Sequence, residues 1–292
     1  DTAPALSGDS GLVFTGMDDD PRTLEKLAAM GFEGGQGISD TVRGWLHGRY
    51  RALRSTRARE LLTTLLPALL QAIADTANPN ATLGRFDRFL SNLPTGVQLF
   101  SMLTARPQLL ELLAEIMGSA PRLANYLAEN SSVVDAMIST EFLASPPPLA
   151  ALQAEFSEEL NTAEDFQDVL DLTRRRVKEH KFQIGVQVLS SSIDADQSGG
   201  AYADLAQAAL ASLLSRVREA FALSERHGVI EGGVIAVLAM GKMGSREMTG
   251  ESDLDLIFVY DYPDEDSVSD GPRPLSAQQY FTRLCQRLIN AM

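Results

Sequence analysis

Cysteine is almost absent from this 292-residue chain, which contains only Cys285. One cysteine cannot form a disulfide within the chain, and disulfides are typical of secreted proteins. The sequence also lacks an apolar run near the roughly 18 residues that a membrane span needs. Residues 1–9 have neither the basic nor the apolar region of a signal peptide. We therefore expect a soluble, cytoplasmic protein without a membrane partner.

Positive charge is also scarce, because 25 Lys and Arg oppose 39 Asp and Glu and the formal charge is −14. This charge repels phosphate backbones, so we expect no nucleic-acid partner. A compact anion such as ATP can still bind if metal ions accompany it. Histidine is rare too, and the three histidines have no metal-ligand spacing: His47, His180 and His227.

The hydrophobic fraction of 45% is enough for a folded core, and its spacing is mostly helical. Residues 1–20 are small and polar, which predicts a linker. Residues 21–144 predict a helical domain, in which proline opens several short helices. Consecutive prolines predict a second linker at 145–150, because proline does not fit a helix interior. Residues 151–230 predict long helices, with a polar break at 194–200.

The pattern becomes strand-like only in residues 231–292. Residues 234–240 form a continuous apolar run, typical of a buried central strand, and residues 254–260 form another. Residues 275–292 return to helical spacing. Because the sequence stops inside that pattern, we expect a truncated piece of a longer protein. The predicted fold class is mainly α with a small α/β part.

The strand-like region contains the candidate chemistry. Asp253 and Asp255 are two residues apart on the predicted second strand, so both carboxylates would project from one face. Neighbouring carboxylates repel unless cations neutralise them, and oxygen ligands of this kind suit Mg²⁺. Gly244 and Ser245 follow the first strand, where a glycine permits close approach and a serine can donate to phosphate oxygens. Taken together, these residues match a two-metal phosphoryl-transfer site.

The run Gly-Lys-Met-Gly-Ser-Arg-Glu-Met-Thr-Gly-Glu-Ser-Asp-Leu-Asp-Leu at 241–256 resembles the core motif of DNA-polymerase-β-type nucleotidyltransferases. Among them it is most similar to the glutamine synthetase adenylyltransferase and adenylyl-removing family. The resemblance extends from about Val13 onwards and implies that residues 231–292 begin a nucleotidyltransferase domain. Further motifs that carry it are Phe86-Asp-Arg-Phe-Leu90, Pro94-Thr-Gly-Val-Gln-Leu-Phe100, Ser119-Ala-Pro-Arg-Leu123 and Arg174-Arg-Arg-Val-Lys178.

The resemblance implies a role for each site residue. Asp253 and Asp255 would be catalytic and would hold two Mg²⁺ ions, while Gly244, Ser245 and Ser252 would position the triphosphate of ATP. The family needs a third carboxylate on a later strand, which we expect after residue 292. This chain by itself is therefore expected to be inactive.

The resemblance also implies the reaction and the partners. The family attaches AMP from ATP to a tyrosine of glutamine synthetase, which regulates nitrogen assimilation, and responds to a PII-type nitrogen-signal protein. A second, similar half removes AMP by phosphorolysis.

Three functions remain open from the sequence. Residues 14–21 resemble the segment that joins the two halves, which favours the adenylylating half for this chain. The AMP-removing half is the first alternative. The second is a helical docking module, without catalysis, for glutamine synthetase or a PII-type regulator, since an Asp-x-Asp pair alone is usually a pair of surface acids.

Overall fold

The computed structural model of the protein describes residues 11–14, 19–130, 133–137, 139 and 142–292. Most of the predicted linker at 1–20 lies outside these residues, as do residues 15–18 of the segment that favoured the adenylylating half. The chain divides into two compact units, Asp1–Leu143 and Ala144–Met292.

The described residues are mainly helical and form one two-stranded sheet, which confirms the predicted fold class of mainly α with a small α/β part. None of the described helices combines the length and the hydrophobicity that crossing a membrane requires.

The first unit consists of helices whose starts are marked in the sequence. The side chains of Asp20, Ser55 and Asn78 each accept the backbone N–H three residues further on, which satisfies a donor that the helix leaves free. The described elements of this unit are α1 (Pro21–Ala29), α2 (Gly35–Leu46), a 3-10 turn (Arg51–Leu53), α3 (Thr56–Ala74), α4 (Pro79–Asn92), α5 (Val97–Ala105), α6 (Pro107–Ser119), α7 (Pro121–Glu129) and α8 (Val133–Ala136).

Aromatic side chains around one carboxylate form part of the first unit's core. Trp45, Phe86 and Phe89 are buried, and the rings of Trp45 and Phe86 meet edge to face at 5.7 Å. Trp45 Nε1 donates to the Asp87 carboxylate at 2.7 Å, and the Tyr50 hydroxyl donates to it at 2.9 Å. A buried indole N–H needs such a partner, so this motif has a structural role.

The second unit combines long helices with the sheet. Strands β1 and β2 are antiparallel, with Val234 opposite Asp261 and Ala239 opposite Leu256. One face of the sheet packs against a core built largely from α11 and α13. The elements are α9 (Leu149–Leu160), α10 (Phe166–Leu189), α11 (Ala195–Leu223), β1 (Val234–Ala239), α12 (Gly241–Ser245), β2 (Leu256–Asp261) and α13 (Ala277–Ala291).

The predicted polar break at 194–200 is wrong, because α11 begins at Ala195 and continues through both glycines. The Asp194 carboxylate accepts the Gln197 N–H at 2.8 Å, and the Gln197 side chain accepts the Asp194 N–H at 3.0 Å. This reciprocal capping box starts the helix. A Cβ at Gly199 would lie 3.0 Å from the Arg246 carbonyl oxygen, so this glycine marks a close helix–loop contact rather than a helix end.

The prediction of buried strands is wrong for one face of the sheet. Val234, Leu238, Ile257 and Val259 are 59, 48, 47 and 47% exposed. Leu238 pairs with Ile257, and side chains alternate along each strand, so the four residues share one face. We call them the open sheet face. The open sheet face is as apolar in sequence as the packed face. Within the described residues, however, α11 and α13 cover only the packed face.

Candidate active site

Asp253 and Asp255 lie just before β2 rather than inside it. The strand begins at Leu256, two residues later than predicted, although the Met240 N–H still donates to the Asp255 carbonyl oxygen at 2.8 Å. Both aspartates are exposed. Because side chains alternate along a paired strand, Asp255 falls on the same side as Ile257, at one end of the open sheet face.

Gly241 adjoins the candidate site, and the sequence reasoning did not select it. Its φ of 50° lies in the left-handed region that glycine tolerates best. A Cβ at this position would collide with the Asp255 carboxylate. Glycine therefore allows the first residue of α12 to lie directly beside that carboxylate. The available signal was the spacing of Gly241 and Gly244.

Gly244 and Ser245 are the last two residues of the short helix α12 that follows β1, and we call them the Gly244–Ser245 turn. The Gly244 N–H donates to the Met240 carbonyl oxygen at 3.0 Å, and a Cβ on Gly244 would lie 2.7 Å from the Ala239 carbonyl oxygen. The turn can therefore close tightly only with glycine. Ser245 is exposed, and its hydroxyl donates to the Glu247 carboxylate at 3.1 Å.

The antiparallel pairing brings two of the predicted parts together. The carboxyl end of β1, which leads into the Gly244–Ser245 turn, lies beside the amino end of β2, which follows the aspartates. The turn and the aspartate pair thus share one end of the sheet, although they are about ten residues apart in the chain.

Ser252 is not brought to the same side. Its Oγ accepts the Thr249 N–H at 2.9 Å and bonds the Thr249 hydroxyl at 3.1 Å, which closes a turn. Ser252 and Leu254 line a cavity towards α10 and α11, whereas Asp253 and Asp255 do not. A role for Ser252 in positioning a triphosphate therefore stays a prediction.

Two helices hold the loop that carries these residues, 246–255. Arg246 Nη2 donates to Asp204 on α11 at 2.9 Å. Lys181 Nζ on α10 donates to the Gly250 carbonyl oxygen at 2.9 Å. No local sequence signal could identify these contacts, because the partners lie 42 and 69 residues apart in the chain.

The aspartate pair offers oxygen ligands of the type that Mg²⁺ prefers. Among the described residues, neither Asp253 nor Asp255 forms an ion pair with a Lys or Arg. The same part of the chain contains no group of three or more His, Cys, Asp or Glu arranged to hold a metal ion. The pair can therefore supply two ligands, and further ligands have to come from elsewhere.

Comparison with known proteins gives one consistent result. Residues 110–292 match the family model described as glutamate-ammonia ligase adenylyltransferase. One relative is the bifunctional glutamine synthetase adenylyltransferase/adenylyl-removing enzyme of Brucella suis biovar 1. The two sequences are 46% identical in an alignment that spans 99% of this chain and 29% of the relative. The chain is also 46% identical to the protein of that name from Mesorhizobium japonicum, over 100% of this chain and 30% of the relative.

A third relative with the same name, from Rhizobium meliloti, is 43% identical over 98% of this chain and 29% of its own length. The chain thus spans less than a third of each of these relatives.

Proposed function

Because the chain belongs to the glutamate-ammonia ligase adenylyltransferase family, we propose that residues 241–256 form part of a site that transfers AMP from ATP to a tyrosine of glutamine synthetase. One observation carries the proposal: the Gly244–Ser245 turn and the aspartate pair share one end of the sheet. Phosphoryl transfer depends on positioning and on charge stabilisation. The turn offers donors for phosphate oxygens, and the aspartates offer ligands for a metal.

The two aspartates fit the expected metal. Asp253 and Asp255 are exposed, so their oxygens are accessible to an ion that also binds a nucleotide. Bound Mg²⁺ would neutralise phosphate charge and polarise the phosphorus that is attacked. Gly241 would keep the Asp255 carboxylate beside α12, because any larger residue would displace it.

The turn would hold the nucleotide. The Ser245 hydroxyl now bonds the Glu247 carboxylate, and it would exchange that contact for a phosphate oxygen. Arg246 would hold the turn in place through its contact with Asp204. The resemblance extends the proposal to a cytoplasmic location and to control by a PII-type nitrogen-signal protein.

The reverse chemistry is the second candidate. The relatives' printed name contains both an adenylyltransferase and an adenylyl-removing enzyme, and the same arrangement of turn and aspartates would serve phosphorolytic removal of AMP. We favour transfer because residues 14–21 resemble the segment between the two halves.

The test uses the full-length gene product that contains this sequence, with Asp253→Asn and Asp255→Asn introduced separately. We expect each change to reduce Mg²⁺-dependent transfer of labelled AMP to glutamine synthetase by at least about 100-fold, because a charge-stabilising group is lost. Both positions are exposed, so the thermal unfolding midpoint should stay unchanged.

Asp266→Asn is the matched control, since it removes the same charge from an exposed position in the loop after β2. Phosphate-dependent release of AMP from modified glutamine synthetase is measured in parallel. Loss of release with retained transfer would reassign the site to the AMP-removing activity. If both activities survive in both variants, the aspartate pair is not a working site.

A further inference from the structure

A cavity lies between α10, α11 and the loop 246–255, behind the aspartate pair. Its volume is about 310 Å³, which is at the lower end of the roughly 300–1,000 Å³ typical of small-molecule sites. At roughly 30 Å³ for each water-sized group, it accommodates about ten non-hydrogen atoms. Most of its wall is apolar, including Val177, Leu205, Ala209, Leu210, Met248 and Leu254.

Tyr202 contributes a hydroxyl group to the wall of this cavity. Its side chain lines the cavity and is only 9% exposed. Its hydroxyl has no hydrogen-bond partner among the residues that the structure describes. Burial, together with the Glu251 carboxylate, raises the pKa of Tyr202 to about 12. The hydroxyl therefore keeps its proton at neutral pH and can donate it to an acceptor in the cavity.

Positive charge lies along one wall of the same cavity. Arg174, Lys178 and Lys181 on α10 line it, and no described side chain in its wall is acidic, although the Glu251 carboxylate acts on Tyr202. Such a basic wall is unusual in a chain with a formal charge of −14. Ala291 and Met292, the last two residues of the sequence, also line the cavity. Arg174 and Lys181 already have contacts within the unit, whereas Lys178 has no ion-pair partner among the described residues. Lys178 and Tyr202 are thus the donors free to bind a ligand.

We propose that this cavity binds a small organic carboxylate with an apolar body. The body would lie between α10 and α11, and the carboxylate would accept hydrogen bonds from the Tyr202 hydroxyl and the Lys178 ammonium group. Ser252 and Leu254 line the cavity, while the alternating Asp253 and Asp255 do not. The site is therefore separate from the proposed nucleotide site, and its existence does not depend on the proposed reaction.

The test is a calorimetric titration of the full-length gene product that contains this sequence with 3-phenylpropionate. The neutral analogue 3-phenylpropan-1-ol and inorganic phosphate serve as comparison ligands. We expect 3-phenylpropionate to bind with a Kd of about 1 mM or below. The alcohol should bind about ten-fold more weakly, because hydrogen bonds to a charged group are lost. Inorganic phosphate should show no measurable binding, because it has no apolar body.

Two variants locate the site. Tyr202→Phe removes a hydroxyl that bonds nothing in the described chain, so folding should be retained, and we expect about ten-fold weaker binding of 3-phenylpropionate. Lys178→Met, at an exposed position, should weaken it similarly. Tyr262→Phe, which makes the same change outside the cavity, is the control and should bind normally.

Three results would overturn the proposal. The first is no binding of 3-phenylpropionate at about 10 mM. The second is equal binding by Tyr202→Phe, Lys178→Met and Tyr262→Phe. The third is binding of inorganic phosphate as tight as that of 3-phenylpropionate, which would mean that charge alone is recognised.

Discussion

Gly199 and Gly200 are neighbours in α11, but their surroundings differ. A Cβ at Gly199 would lie 3.0 Å from the Arg246 carbonyl oxygen and 3.2 Å from the Glu247 Cα, both backbone atoms. A Cβ at Gly200 would meet only the end of the Arg246 side chain, at an ordinary 3.8 Å. Glycine in a helix costs about 0.5–1 kcal/mol relative to alanine. Close packing against the loop requires glycine, with its free-energy cost, at Gly199 but not at Gly200.

We expect Gly200→Ala to raise the free energy of unfolding by about 0.5–1 kcal/mol, because alanine favours the helix. Gly199→Ala should lower it instead, since the added methyl group has to displace the backbone of the loop 246–255. Urea denaturation of both variants measures the difference. Equal effects of the two substitutions would show that the contact with the loop does not crowd Gly199.

Some residues of the candidate site could be proposed from the sequence, and others could not. The aspartate pair and the Gly244–Ser245 turn could be proposed as site residues from the sequence, because they lie in one short run of residues; their role stays a prediction. Ser252 belongs to the same run, but alternation turns it towards the cavity. Tyr202 and Lys181 could not be identified, since their positions relative to the loop 246–255 depend on how α10 and α11 pack.

At the scale of elements, α9 and α10 are joined by a network of charged side chains. Glu159 on α9 accepts from Arg175 at 2.7 Å and from Arg176 at 2.6 Å. Glu155, one turn earlier, bonds His180 Nε2 at 3.0 Å. Burial by itself would raise the pKa of Glu159, but the hydrogen bonds from Arg176 and Arg175 outweigh it and lower that pKa. Much of the basic run at 174–178 therefore serves helix packing.

Because of this network, the free energy of unfolding depends on pH. The hydrogen bond with His180 is the main reason that the pKa of Glu155 is below its ordinary value of about 4.5, and the charge of Arg176 adds to it. A lowered carboxylate pKa stabilises the fold fully above the ordinary value, and this stabilisation is lost as the pH falls through the lower, folded-state value. We expect Glu155→Gln to destabilise the protein at pH 7, and we expect this effect to shrink as the pH falls below about 4.5 and through the lower folded-state pKa.

Thermal unfolding between pH 3 and pH 7 checks this prediction. Glu158→Gln is the matched control, because Glu158 is an exposed residue of the same helix and should change stability little at any pH. A destabilisation by Glu155→Gln that persisted unchanged at low pH would contradict the role of its charge.

At the scale of the whole molecule, each of the two units has its own core. Phe100 is fully buried in Asp1–Leu143, and Phe221 is 2% exposed in Ala144–Met292. Phe→Ala in a core typically costs about 3–5 kcal/mol. We expect Phe100→Ala to accelerate hydrogen exchange in α3 and α5 while leaving α11 and α13 protected, since each unit closes its own core.

Phe221→Ala is the reciprocal variant, and it should expose α11 and α13 while α3 and α5 keep their protection. Hydrogen exchange followed by mass spectrometry measures both variants under the same conditions. Uniform loss of protection throughout the chain in either variant would mean that the two units unfold as one cooperative body.

The sequence by itself determined the helical class, many helix starts and the run that carries the aspartates. These features depend on neighbours along the chain: caps such as Asp20 and Ser55, prolines in first turns, and apolar periodicity. Membership of the family could also be predicted from the sequence, because the motifs that define it are short stretches of residues.

Only the tertiary structure decided the rest. It showed that α11 passes through Gly199, that the apolar strands leave one face open, and that Tyr202 and Lys178 line a cavity behind Asp253. Each of these features depends on which residues distant in sequence pack against a given segment. The spacing of residues within a segment does not determine which distant residues pack against it. The same apolar or glycine-rich pattern is therefore compatible with more than one environment.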